Sequence, residues 1–167
     1  MEEIHDRLFV IFSEVTRLQF LRIRGELEKI GMYPGQPGLL FSLNKKDGQF
    51  QKELAKQLNI SPATMNVTIK RMEKNGLVRR EQDKNDKRVS RVFICEEGKN
   101  ICKKLRDIHL EVESECIVNL SKEEKIIARR ILLQIRDNLL KSCKKNNIKV
   151  SKCWGRHDGS KQEDVDV

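Results

Sequence analysis

No stretch of this chain approaches 18 consecutive apolar residues, so no membrane-spanning helix is expected. Its first residues, MEEIHDRLF, are acidic where a secretory leader would be basic and then hydrophobic, and the expected location is the cytoplasm. Cysteine is sparse and irregular. Cys95, Cys102, Cys116, Cys143 and Cys153 make an odd number without tight spacing, which argues against a disulfide framework and for reduced thiols. The sequence has no HExxH or Cys-x-x-Cys pattern, phosphate loop, Rossmann fingerprint or nucleophile-base-acid set, so neither catalysis nor a cofactor is expected. His109 and Glu113 stand four apart but read as a surface histidine beside a carboxylate, and Cys153 with His157 falls in a segment too polar to build a zinc site.

What the chain has in quantity is charge. Of its 167 residues 35% are charged and 38% hydrophobic, the composition of a soluble helical protein that keeps some apolar surface for a partner. The 34 basic and 25 acidic residues leave a net +9, which suits a polyanionic partner. The placement of that charge says more. Residues 70 to 91 hold nine Lys or Arg against four Asp or Glu, whereas residues 1 to 30 hold five against six.

The most informative stretch is Ser61 to Lys74, SPATMNVTIKRMEK. Ser61 is a good N-cap and Pro62 suits the first helical position, where its missing N–H costs nothing. Met65, Ile69 and Met72, joined by Thr68, form one narrow apolar stripe, and the remaining surface carries hydroxyl, amide and cationic groups with no carboxylate before Glu73. A helix with that face can enter a DNA major groove, with Lys and Arg on phosphates and Thr or Asn on base edges. Lys52 to Asn59 precedes it as a short helix with Leu54, Ala55 and Leu58 turned inward, so the pair reads as a helix-turn-helix. Asn75-Gly76 stops the second helix. Leu77 to Arg80 then reads as a strand, Glu81 to Lys87 as a polar turn and Arg88 to Cys95 as a returning strand: a β-hairpin wing.

The flanks read as helices. Asp6 to about Ile30 carries Leu8, Ile11, Phe12, Val15 and Leu18 on a face wider than a small domain needs, which points to a second chain. A short helix from Pro37 to Asn44 follows the turn at Tyr33-Pro34-Gly35. After the wing a long helix opens at Glu97-Gly98 and runs to about Asn119, and Ser121 with Glu124 forms a capping box for a last helix ending near Lys144. The expected organisation is a dimerisation helix and turn at 1–36, a winged helix-turn-helix at 37–98, dimerisation helices at 99–144 and a mobile polar tail at 145–167. The fold class is mainly α with a small β-hairpin wing.

This order resembles the MarR family of winged-helix bacterial regulators over residues 5 to 142. The resemblance is carried by Glu53-Leu54-Ala55, Ile60-Ser61, Gly76-Leu77-Val78, Arg80, Asp86-Lys87-Arg88 and Gly98. It implies a homodimeric repressor, or sometimes an activator, released from DNA by a small aromatic or anionic effector; it also implies that Asp86 supports the wing and Arg88 enters the minor groove. Phe50 stands where the family often has a Thr cap, Ile94-Cys95 where it has Leu-Thr, and no cysteine precedes Cys95, so the family's first-helix oxidant sensing does not transfer.

The expected function is therefore sequence-specific binding to an inverted-repeat DNA operator, with a winged-helix protein-interaction module or a non-specific architectural protein as alternatives. Expected DNA contacts are Ser61, Thr64, Asn66, Val67, Thr68, Lys70, Arg71 and Lys74 on the helix, and Arg80, Lys84, Lys87 and Arg88 on the wing. Phe12, Arg17, Phe20, Met32, Tyr33 and Phe41 are candidates for an effector pocket, where rings and a cation suit an aromatic acid.

Overall fold

Residues 2–83, 89–148 and 150 are described by a computed structural model. The elements follow in the order α1 (Glu2–Lys29), α2 (Gln36–Lys45), β1 (Gln49–Phe50), α3 (Gln51–Leu58), α4 (Pro62–Lys74), β2 (Val78–Gln82), β3 (Ser90–Ile94), α5 (Glu96–Cys116) and α6 (Lys122–Lys145). The mainly helical class with a small antiparallel sheet is as expected from the sequence. Two local differences stand out. The sheet has three strands in the order β1-β3-β2, because Gln49 and Phe50 pair with Val92 and Arg91, and β2 runs on to Gln82 instead of ending at Arg80. A two-residue strand is too short to show alternation, and only its pairing with β3 defines it.

The core lies where α2, α3, α4, the sheet and the first half of α5 meet. Leu39, Leu40, Leu43, Leu54, Met65, Ile69, Met72, Val92 and Leu105 are all fully buried there. The α4 stripe is Met65, Ile69 and Met72 as the helical spacing predicts, and removing each of these side chains from water contributes about 1.5–3 kcal/mol. Its ends are fixed by local chemistry. Ser61 Oγ accepts from the Thr64 N–H at 3.0 Å, and at the other end Gly76 takes φ +68° while the Leu77 N–H reaches back to Met72 O at 2.9 Å. The capping box is also present, with Ser121 and Glu124 bonding reciprocally.

Gly98 shows how tightly α5 meets the wing. A Cβ there would lie 2.2 Å from Leu77 O and 2.8 Å from Ile94 Cγ1, so only a residue without a side chain fits this crossing. Around the wing's base Asp47 Oδ1 accepts from the Ile94 N–H at 2.9 Å, and Arg91 stacks over Phe50 at 3.9 Å while Nη1 donates to Gly48 O at 2.9 Å.

The outer helices differ from this core. Arg22 of α1 bridges to Glu115 at 2.9 Å and Glu111 at 3.2 Å on α5 and also pairs with Glu26, an arrangement that holds its guanidinium above its ordinary pKa, first through Glu115 and then Glu26. Along the rest of α1, Leu8, Phe9, Ile11, Val15 and Leu18 are exposed, each by more than half. On α6 no residue is buried. Among the described residues no helix is long and apolar enough to cross a membrane.

Candidate nucleic-acid interface

The unit that presents α4 is built from α3, a three-residue link (Asn59, Ile60 and Ser61) and α4. Asn59 adopts φ 53° and ψ 42°, a left-handed turn that asparagine tolerates, and Ile60 N–H closes on Ala55 O at 3.1 Å. This turns the chain so that α4 packs its methionine stripe inward and leaves Ser61, Thr64, Val67, Lys70 and Lys74 exposed on the outer side. Val67 is 58% exposed, an apolar side chain standing clear among polar ones. Lys70 and Lys74 have no ion-pair partner among the described residues, so their charge is available to a phosphate. Ser61 and Thr64 share a hydroxyl hydrogen bond at 2.8 Å, and Thr68 donates to Thr64 O at 3.0 Å, so Thr68 is half-turned toward its own helix.

Other expected contact residues are engaged inside the chain. Arg71 sits over the Tyr33 ring at 4.7 Å. Arg80 is paired with Glu73 at 2.5 Å and donates to Asn66 Oδ1 at 3.0 Å, with only 23% of its side chain exposed. Two arginines outside the expected contacts are paired as well: Arg79, exposed and beside Glu81 at 2.8 Å, has its pKa raised chiefly by that carboxylate, and Arg91 pairs with Asp83 at 2.5 Å. Counting charges from residue 70 to 91 therefore overstates the free cations, because the fold pairs several of them. Lys84, Asp86, Lys87 and Arg88 lie outside the described residues.

The six effector-pocket candidates do not converge. Met32 is a core residue at 2% exposure, Tyr33 stacks with Arg71, and Phe41 meets His109 edge-on with ring centroids 6.2 Å apart. Arg17 and Phe20 are exposed, and Phe12 lines an apolar trough with Leu132, Ile135 and Leu139 of α6. What sequence reasoning missed nearby is Gln36, whose Oε1 accepts from Tyr33 N–H at 2.9 Å while its buried Nε2 has no hydrogen-bond partner among the described residues. It also missed Glu73, whose only outward signal is being the one carboxylate on a cationic helix. Among the described residues no group of three His, Cys, Asp or Glu is placed to hold a metal ion.

Comparison with known proteins identifies the family. The MarR family model matches residues 33–90, which is the stretch from within the α1–α2 turn to the start of β3. The HTH-type transcriptional regulator YwoH of Bacillus subtilis is 30% identical over 125 residues, covering 75% of this chain and 90% of that protein. The chain belongs to the MarR family. Its fold is shared with YusO of Bacillus subtilis, at a TM-score of 0.75 and 19% identity, covering 82% of this chain and 97% of that one. It is shared too with the MepR F27L mutant of Staphylococcus aureus, a structure bound to an oligodeoxyribonucleotide, at a TM-score of 0.63 and 22% identity over 79% and 97% of the two chains. In MarR family terms α3 and α4 form the helix-turn-helix, β2 and β3 the wing, and the chain is a transcriptional regulator.

Proposed function

We propose that this MarR family regulator works as a homodimeric repressor that binds an inverted-repeat operator and leaves it when a small aromatic or anionic effector binds. The observation that carries DNA reading is the outer face of α4: Thr64, Val67, Lys70 and Lys74 exposed above a buried methionine stripe, with the two lysines unpaired among the described residues. Thr64 and Asn66 supply hydrogen-bonding groups for base edges, Val67 a contact for a thymine methyl, and the lysines positions over the phosphates. Arg88, Lys84 and Lys87 are assigned to the wing contacts on sequence grounds, with Asp86 as the wing's support.

Support for the homodimer comes from α1 and α6. Each presents a row of exposed aliphatic residues, among them Leu8, Ile11 and Val15 on α1 and Ile127, Ile131 and Leu139 on α6, far more than an isolated soluble domain leaves uncovered. A two-fold dimer places two copies of α4 about 34 Å apart, one helical turn of DNA. Effector response rests on the junction between α1 and α2. Tyr33 there touches Arg71 of α4, and Gln36 beside it keeps an unpaired buried donor, so a molecule that engages this junction acts directly on the reading helix.

The experiment is the mass of the free protein and of its complex with an inverted-repeat duplex selected from a randomised pool. The expected results are about two times 19.5 kDa for the free protein and two chains per duplex. A monomer at micromolar concentration, or one chain bound per duplex, contradicts the two-half-site reading.

A further inference from the structure

Arg80 looks by type and location like another phosphate contact, but its surroundings give it a different task. Its Nε and Nη2 both donate to Glu73 Oε2, at 2.8 Å and 2.5 Å, and its backbone N–H donates to Glu73 Oε1 at 3.1 Å. One carboxylate at the end of α4 thus holds both the main chain and the guanidinium of β2. A third guanidinium N–H is used on Asn66, where Nη1 lies 3.0 Å from Oδ1. Both members of the ion pair are mostly covered, at 23% and 29% side-chain exposure. A guanidinium already neutralised by a carboxylate and with three of its five N–H groups engaged releases few counterions on meeting a phosphate.

The contact also decides how Asn66 is presented. Arginine has five N–H donors and no acceptor, so the atom of Asn66 facing it must be the carbonyl oxygen, and the amide nitrogen takes the other end. No hydrogen-bond partner for that nitrogen is found among the described residues. A half-buried asparagine with its oxygen fixed and its N–H groups free is set to donate, and the acceptors that bases offer in the major groove are purine N7, guanine O6 and thymine O4.

We infer that Arg80 and Glu73 are positioning residues for base reading: Glu73 holds the Arg80 guanidinium, which holds Asn66 Oδ1 and leaves the Asn66 amide to donate to an acceptor on a base edge. The inference rests on the DNA-binding reading above and adds to it a specificity device connecting the wing to the reading helix. It moves Arg80 from the direct DNA contacts expected from sequence to a supporting role.

The test uses the full chain. A preferred duplex is selected from a randomised pool by the wild type, and its affinity and that of a scrambled duplex are measured across a salt series for wild type, Asn66→Ala, Arg80→Met, Arg80→Lys and the Asn66→Ala/Arg80→Met double variant. Positioning predicts that Arg80→Met loses about ten-fold on the preferred duplex and less than about two-fold on the scrambled one, with the salt slope unchanged. The double variant should be no weaker than Asn66→Ala alone, and Arg80→Lys should fail to rescue, since an ammonium cannot serve both Glu73 and Asn66 in the fork geometry. Repeating the selection with Arg80→Met should blur the same base pair that Asn66→Ala blurs and leave the others sharp. Equal losses on both duplexes with a salt slope lower by about one, or full rescue by lysine, would make Arg80 a phosphate contact and overturn the inference while leaving DNA binding intact. Should Arg80→Met fail to fold, the Arg80→Lys and Asn66→Ala arms decide: different base pairs blurred by these two refute positioning. If the wild type selects no sequence at all, the DNA-reading assignment itself falls and the inference falls with it.

Discussion

Gly98→Ala is the substitution whose cost can be worked most directly from the structure. The new methyl would sit 2.2 Å from the Leu77 carbonyl oxygen and 2.8 Å from Ile94 Cγ1, against an ordinary carbon–oxygen approach of about 3.2 Å or more. The carbonyl cannot simply swing away, because it accepts the Cys95 N–H at 3.0 Å just before α5 begins. Either α5 moves outward by about 1 Å, opening the layer around Ile101 and Val92, or β2 moves and strains the hairpin. Overpacking of this kind costs about 1–3 kcal/mol and sometimes more, while alanine's better helix propensity returns at most about 1 kcal/mol. The expected net loss is about 2 kcal/mol, a fall of about 4–8 °C in Tm for a chain of this length. Thermal unfolding followed by circular dichroism, at matched protein concentration because melting of the proposed homodimer would depend on it, reads it. A variant that melts at or above the wild type would show that the α5–wing crossing has slack and that the glycine is there for another reason.

On the wing, Arg88→Ala should weaken binding to the preferred duplex about ten-fold, or about 1.4 kcal/mol, without changing the mass of the free protein; undiminished affinity in a titration removes Arg88 from the site. Lys70→Ala should weaken preferred and scrambled duplexes alike and lower the salt slope by about one, and a loss confined to the preferred duplex would instead make Lys70 a base reader. Burial pushes the Cys102 thiol up to about 11, so in the folded protein at pH 8 it should stay unmodified by a thiol reagent and react only after urea unfolding. Peptide mass analysis checks this, and ready labelling of Cys102 under native conditions would contradict its place in the core.

The parts of the fold legible in the sequence are those fixed by neighbours in the chain. Ser61-Pro62 with its methionine stripe, Asn75-Gly76 and the Ser121–Glu124 box each state their geometry within four residues or so, and all three are found as expected. What depends on distant partners was not legible. Strand β1 exists because Gln49 and Phe50 meet Val92 and Arg91, over forty positions away, and no two-residue pattern announces that. Arg80 and Arg91 read as free cations in a basic segment, because sequence counts charge and does not show that the fold brings Glu73 and Asp83 to face them. The effector candidates are a similar case: residues of α1, α2 and the turn between them stand near one another in the sequence, but the fold sends Met32 to the core, Phe41 toward His109 and Phe12 toward α6.

The most direct test of the account is a competition titration of the full-length protein against its selected inverted-repeat duplex and a scrambled duplex of equal length and composition, at one near-physiological salt concentration. A sequence-reading dimer presenting two copies of α4 is expected to favour the selected duplex by about 10³-fold or more. Affinities within a few-fold of each other would contradict specific reading and leave the basic surface as a general attachment to DNA.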